Sequence, residues 1–484
     1  MLRPRGRPAH MLRHRTGVGV LTLAAVALYV TYAVSRLTRF RAATYDLVIF
    51  DQAVRSYSRF EPGLAPVKGV HNDFGPDFSV LGDHFSPILA VLAPLYWVHD
   101  RPIMLVVAQA VLIAAAIPFV WVFANRLLGP LAAYLASGAF ALSWQVQSAI
   151  AFDFHEVAFA VPLVAVAMER FQAARYWHAT IAAGVLLLVK EDMGFLVAGL
   201  GVLLMWRARR RLHGLGLVVA GLAMVWLTTQ VLMPLAGGRP GYYWQYEDLG
   251  GSPGEALRFM VTNPLETLAL IVTPETKLHT LLWLFVPLAF CALVSPYLLP
   301  ALPLLAERLL ASNPNWWTTW PHYNAFVVVL LFCAGIDGAA RVARWVGRTS
   351  ARRRRVVHVG WAAFTLAAAV VSVGHFPFGN LTHDTWWPES GRQRAAATAV
   401  ATIPDGATVE VLNNLGPALT GRCAVRLLDR TPRDAPWVIT DTRIRTFPFR
   451  TLAEQRGRLG VLERDGYRRV WSGQGYVVLH RSGS

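Results

Sequence analysis

The sequence predicts a polytopic α-helical membrane protein with a small extracytoplasmic α/β domain at its C-terminus. Three observations predict it. Of 484 residues, 55% are hydrophobic and only 15% charged, with a mean hydropathy of +0.40; soluble domains carry about 25% charged residues. Apolar runs recur along the chain, several reaching the roughly 20 residues that cross a hydrocarbon core. Finally, 46 basic residues outnumber 29 acidic ones for a net charge of +17, and sixteen of them cluster beside apolar runs at 3–15, 207–211 and 341–355. That spacing fits cytoplasmic loops under the positive-inside rule. It does not form the basic stripe of a nucleic-acid footprint, so no nucleic-acid partner is expected.

Taken in order, residues 1–16 form a basic cytoplasmic tail. Residues 17–37 follow as a first span, too long for a signal-peptide core of about 7–15 residues and lacking a small-residue cleavage site, so a retained helix is expected. Residues 39–102 make the first outer loop. It carries YDLVIFDQAVRSYSRF (45–60) and HNDFGPDFSVLGDHFSPILAVLAPLYWVH (71–99), which gather Asp46, Asp51, His71, Asp73, Asp77, Asp83 and His84 among aromatic residues. Val48, Ile49, Val54 and Tyr57 fall at helical spacing around the first two aspartates, predicting a short amphipathic helix on the membrane surface. Residues 88–98 are too short to span unaided and read as an interfacial or re-entrant piece.

Apolar segments at 103–128, 131–149, 157–168, 180–189, 193–206 and 214–235 then cross alternately inward and outward. Residues 169–178 make a polar inner turn, and 236–277 a long outer loop rich in Gly, Pro and aromatics, with Tyr242, Tyr243, Trp244 and Tyr246. Segments 278–294 and 296–310 read as a helical hairpin turning at Ser295-Pro296. An outer loop, a span at 325–346 and a last span at 356–376 close the domain 17–376, about eleven spans in all. With this parity all three arginine clusters fall on one side and the acidic and histidine-bearing loops on the other.

From residue 377 to 484 the composition changes. A helix is predicted at 395–402, and β-branched or aromatic strands at 408–412, 424–428, 437–441, 468–471 and 476–480, separated by Gly/Pro turns. The three cysteines show neither a disulfide framework nor a metal-type spacing. No Walker loop, nucleophile elbow or dinucleotide fingerprint is present.

The candidate functional residues lie in the outer loops, and each has a plainer reading. Asp46 and Asp51 are either solvated carboxylates of an interfacial helix or a catalytic pair at a site entrance, where a carboxylate deprotonates an acceptor hydroxyl. His84 either caps the helix that follows or binds a phosphate or metal. Asp153, His155 and Glu156 crowd one short turn; Asp153 and His155 offer oxygen and imidazole ligands to a divalent ion. Lys190, Glu191 and Asp192 either neutralise one another or present Lys190 to a lipid phosphate; Lys68, Lys190 and Lys277 are the only lysines. His322 and Tyr323 follow Trp316, Trp317 and Trp320, a cluster that is either an interfacial belt or a sugar-stacking surface.

The strings YDLVIFDQAV, LGDHFSPILAVLAPLYWV, FDFHE, KEDMGF and PHY (321–323), with ATIPDGATVEVLNNLGPALTGR near the end, resemble the bacterial membrane-protein family designated domain of unknown function 2079. That family in turn is similar to the C-type (GT-C) glycosyltransferases, polytopic enzymes that use polyprenyl-phosphate sugars. Asp46 matches the position of their catalytic aspartate in the first outer loop, and His84 to Leu89 is similar to their His/Lys-Pro-Pro-Leu string. Leu47 departs from the usual Glu, and Phe85-Ser86 intrude before Pro87. Asp153 falls where such enzymes often carry a second acidic residue.

The resemblance implies an inverting membrane glycosyltransferase moving a sugar from a polyprenyl-phosphate donor to an extracytoplasmic envelope acceptor. Asp46 and Asp51 would serve as catalytic residues, His84, Lys190, Glu191, His322 and Tyr323 as substrate-binding residues, and Asp153 and His155 as ligands of a divalent metal. It also implies a plasma-membrane location, with the N-terminus cytoplasmic and the C-terminal domain outside. Two other classes compete: a lipid or solute transporter (flippase), which the lack of an internal repeat disfavours, and a non-catalytic envelope assembly protein.

Overall fold

The computed structural model describes residues 14–239, 241, 244–348 and 350–481. Most of the basic tail, Tyr242 and Tyr243 therefore lie outside the described residues. Among these, five helices are long and apolar enough to cross a membrane: Arg15–Thr38, Ile103–Leu128, Arg211–Leu235, His322–Val346 and Ala351–Val373. The other expected spans are shorter helices, among them Pro130–Leu142, Ala160–Gln172, Tyr176–Leu186 and Met193–Ala208.

Backbone chemistry explains several interruptions. The second long span pauses between Ala114 and Ile117. Pro118 there lacks an N–H, and its ring would crowd the carbonyl four residues back, at Ala114. The span expected at 131–149 breaks at Ser143, whose ψ of 146° is extended; Trp144–Ala151 resumes as a separate helix.

Two expectations are corrected. The segment 236–277, read as a loop, contains the helices Pro253–Thr262 and Pro264–Val272 and the start of Glu275–Phe285. Ser252 caps the first by accepting from the Glu255 N–H, and prolines open the first two, the start signals that were passed over. The hairpin at 278–310 is also not two continuous helices. Short 3₁₀ turns, Val286–Leu288, Cys291–Val294 and Pro296–Ala301, replace its middle, with Ala289 and Phe290 at positive φ.

The C-terminal region forms a five-stranded mixed sheet. Its strands are β1 (Thr408–Val411), β2 (Ala424–Leu427), β3 (Trp437–Asp441), β4 (Arg468–Gly473) and β5 (Tyr476–His480), in the order β2-β1-β3-β5-β4. β1 runs parallel to β2 and β3, and the β4–β5 hairpin joins antiparallel to β3. A helix that the strand-oriented reading missed, Leu452–Arg464, sends Arg458 to the buried Glu410 of β1 at 3.4 Å.

This sheet is docked onto the segment that follows the first span. The Thr44 hydroxyl donates to the Leu412 carbonyl (3.1 Å) and accepts from the Gly416 N–H (3.0 Å). A Cβ on Gly416 would stand 2.4 Å from that hydroxyl, so only glycine permits the approach. His71 meets Asp429 at 2.9 Å, and Arg433 meets Asp73 at 3.0 Å.

Candidate functional site

Asp46 sits on a wide π-type turn, Thr44–Val48, that leads into the helix Ile49–Ser58. The turn is fixed from two directions. Thr44 and Tyr45 bond to the C-terminal region at Leu412, Asn413 and Gly416. Asp153, from the turn after Trp144–Ala151, accepts from the Ala43 N–H (2.7 Å) and from Arg36 Nη1 (3.3 Å) at the end of the first span. The segment leading to Asp46 is thereby held between two covalently distant parts of the chain.

The Asp46 carboxylate itself is left open. Among the described residues its one ion-pair-range neighbour is His155 Nε2, at 3.8 Å. Burial, reinforced by the charge of Asp153, raises the Asp46 pKa to about 7, although Lys68 and Arg36 pull the other way. His155 is neutral: burial lowers its pKa to about 3, and its Nδ1–H donates to the Asp153 carbonyl at 3.0 Å. Its Nε2 lone pair therefore faces Asp46 across a gap too long for a direct hydrogen bond.

From His155 a continuous row of side chains runs inward. His322 stacks on it with ring centroids 3.6 Å apart, and Tyr323 lies 4.3 Å from His322. Lys190 Nζ is 5.7 Å, and the Arg308 guanidinium 5.9 Å, from the centre of the Tyr323 ring. Lys190 is buried, with Glu156 at 3.9 Å and Asp192 at 4.0 Å, both beyond hydrogen-bond length. Burial works against its charge, but Asp192, Glu191 and Glu156 outweigh that and hold it protonated.

Several buried polar atoms of this row have no hydrogen-bond partner among the described residues: both Glu156 oxygens, Asp192 Oδ1, His322 Nδ1 and Arg308 Nη1. Buried polar groups are nearly always paired, so a cluster of orphans of both signs marks a place built for a polar ligand or water.

His84 joins the same region through Glu191, whose carboxylate meets His84 Nδ1 at 2.8 Å and the Phe85 N–H at 3.2 Å. Burial opposes the imidazolium, but Glu191 prevails and raises the His84 pKa. Asp46, His155, His322, Tyr323, Lys190, Glu191 and His84 are thus brought together. Asp51 is not among them. Its two oxygens take a bidentate bond from Arg55 (2.6 and 3.1 Å), the Tyr96 hydroxyl (2.7 Å) and the Thr420 hydroxyl (2.7 Å). Every lone pair is used, and the carboxylate is sealed from solvent.

The Asp153 oxygens are engaged by Arg36 and Ala43 rather than turned toward His155, whose Nδ1 donates to the Asp153 carbonyl and whose Nε2 faces Asp46. Among the described residues no group of three or more His, Cys, Asp or Glu side chains is arranged to hold a metal.

Comparison with known proteins bears on this geometry. Residues 36–475 match the family described as predicted membrane protein (DUF2079). The chain belongs to that family. No curated protein matches it in sequence. Among solved structures it is similar to ArnT from Cupriavidus metallidurans bound to undecaprenyl phosphate, with a TM-score of 0.54 at 13% identity, covering 97% of this chain and 99% of ArnT. The apo state of the same protein overlaps with a TM-score of 0.50 at 13% identity, covering 96% and 98%. This family member thus shares its fold with that protein over nearly its whole length.

Two residues of the cluster, Arg36 and Arg308, were absent from the sequence-derived set, and Glu156, noted there beside Asp153 and His155, was given no role of its own. Glu307-Arg308 is a charged pair inside the otherwise apolar 296–310, and an ionisable group in such a segment is itself a signal of function.

Proposed function

We propose that the chain is an inverting membrane glycosyltransferase that moves a sugar from a polyprenyl-phosphate donor to an envelope acceptor at the extracytoplasmic face. The observation that carries this reading is Asp46: a carboxylate with a pKa near 7, free of hydrogen bonds to the described residues, beside a row of buried polar groups that ends at Lys190 and Arg308. The fold shared with ArnT, and the binding of undecaprenyl phosphate by ArnT, support the same class of donor.

In this mechanism ionised Asp46 accepts the proton of an acceptor hydroxyl. The hydroxyl oxygen forms the new bond to the anomeric carbon from the face opposite the phosphate. The carbon–oxygen bond to the lipid phosphate breaks, and its electron pair leaves with the phosphate. Lys190 and Arg308 meet the developing charge. A pKa near the working pH suits a general base, because it is ionised yet still basic. Neutral His155 presents an accepting Nε2 to the same space, where it takes a hydrogen bond from a second sugar hydroxyl, since the one proton of the reacting hydroxyl goes to Asp46. Asp51, saturated by Arg55, Tyr96 and Thr420, takes no chemical part, and no step is assigned to a metal.

Helix direction supports this orientation. Met193–Ala208 and Val327–Val346 each begin beside the polar cluster, at Asp192 and Tyr323, and end beside arginines, at Arg207 and Arg344. With arginines cytoplasmic, the cluster faces outward. The test is sugar transfer by the purified protein from labelled polyprenyl-phosphate sugars to an envelope fraction. Transfer by the wild type, lost in Asp46→Asn at equal protein level, supports the reading; equal transfer by both sinks it.

A further inference from the structure

At the opposite end of the bundle a cleft of about 740 Å³ is lined by Trp206, Arg207, Arg209, Arg341 and Arg344 together with residues of the segment 293–302. Its floor is built. The Ser295 hydroxyl donates to Asp337 Oδ2 at 2.7 Å, and Arg341 Nε donates to the same oxygen at 2.6 Å. Ser295 and Asp337 are both buried. The hairpin backbone lies directly on the helix Val327–Val346, where a Cβ on Gly338 would meet the Cys291 carbonyl oxygen at 1.8 Å. Arg341 is therefore held in place before any ligand arrives.

The remaining guanidiniums are uncompensated. The side chains of Arg207, Arg209 and Arg344 form no ion pair or hydrogen bond with another described residue. Four arginines against the single carboxylate of Asp337 leave a formal charge of +3 around one cavity. The walls beside them are apolar and exposed: Trp206 is 67%, Leu293 54% and Val294 55% accessible. A free anion needs the arginines but not these walls. An amphiphile uses both, its phosphate among the guanidiniums and its chains along the apolar collar. Arginine forks match phosphate oxygens geometrically.

We propose that this cleft is a site for the phosphate headgroup of an anionic phospholipid, in the leaflet opposite to the Asp46 cluster. On the helix Val327–Val346 alone the two regions are separated by roughly 25 Å, about 17 residues at 1.5 Å each. The bound headgroup bridges the ends of Met193–Ala208 and Val327–Val346, the same two helices that begin beside Lys190 and Tyr323. The site does not depend on the transferase reading.

The test uses the full chain purified in a neutral detergent, with binding of labelled dioleoylphosphatidylglycerol, dioleoylphosphatidylcholine and inorganic phosphate measured at equilibrium. The expected result is one saturable phosphatidylglycerol site, with phosphatidylcholine weaker by about tenfold or more and inorganic phosphate a poor competitor. Arg207→Gln with Arg344→Gln should weaken phosphatidylglycerol binding by about tenfold or more, since each arginine contributes near a headgroup. Arg207→Lys with Arg344→Lys should retain most of it. Equal affinity for the two lipids overturns the proposal. So does displacement by inorganic phosphate at comparable affinity, or wild-type binding by the glutamine variant at an unchanged melting temperature.

Discussion

Asp46 and Asp51 lie five residues apart in one short stretch, and their surroundings are opposite. Asp51 is enclosed at the junction of the helix Ile49–Ser58, Tyr96 and the C-terminal region, with a hydrogen bond to every lone pair. Asp46 sits one turn earlier, faces a neutral imidazole at 3.8 Å, and carries a pKa near 7. The difference teaches how to separate a carboxylate that holds structure from one available for chemistry. The first has its charge compensated by fixed donors. The second is desolvated with only partial compensation from Lys68 and Arg36, an arrangement that clusters at functional sites.

Substitutions that exchange or erase this contrast test it. The largest effect is expected from Asp46→Asn, which should lower sugar transfer by about 10²–10⁴-fold, the range of a lost general base, with normal protein level. Stability should move the other way. Asp46 binds its proton more tightly folded than unfolded, so stability falls as pH rises from its ordinary 3.8 toward about 7. The asparagine variant escapes that loss and should melt no lower than the wild type at pH 8; a clearly lower melting temperature would make Asp46 structural.

Asp51→Asn should do the reverse. It weakens the bidentate bond and leaves Arg55 with one charged partner, Asp100 at 2.6 Å, a loss of roughly 1.5–3 kcal/mol, read as poor accumulation and a lowered melting temperature. A stable but inactive Asp51→Asn protein would return Asp51 to the chemistry. Lys190→Gln should slow transfer by about 10²-fold through lost stabilisation of the leaving phosphate, measured at saturating donor. A smaller effect is expected from Thr420→Val, which removes one bond to Asp51 and should cost about 1 kcal/mol, detected as faster proteolysis of the C-terminal region. Last, the wild-type rate should rise with pH through about 7 and then level, as Asp46 ionises; a rate flat from pH 5 to 8 would show an ordinary aspartate.

Much of this architecture was readable from composition alone. Hydrocarbon tolerates few charges, so long apolar runs announce themselves, and the expected spans at 17–37, 325–346 and 356–376 overlap Arg15–Thr38, Val327–Val346 and Ala351–Val373. Strands Trp437–Asp441 and Tyr476–His480 coincide with the β-branched and aromatic runs that predicted them. The helices between 253 and 285 were less legible, because Gly, Pro and aromatic residues around them imitate a loop. The shortened and broken spans were also hidden: a hydropathy pattern counts apolar residues but does not register where Ser143 or Pro118 interrupts the hydrogen-bond ladder.

For the candidate site, the sequence determined which side chains could matter, since ionisable residues beside apolar runs are costly and few. It also determined the two ends at which they gather. Only the tertiary structure decided which of them meet: that His155 stacks on His322, that Asp153 is spent on Arg36 and Ala43, and that Asp46 stays open while Asp51 is closed by Thr420, 369 residues away in the chain. The physical reason is that a carboxylate's role depends on the donors around it in space. Those donors come from segments whose approach is set by helix packing and by the docking of the sheet, and neither is written into local residue spacing.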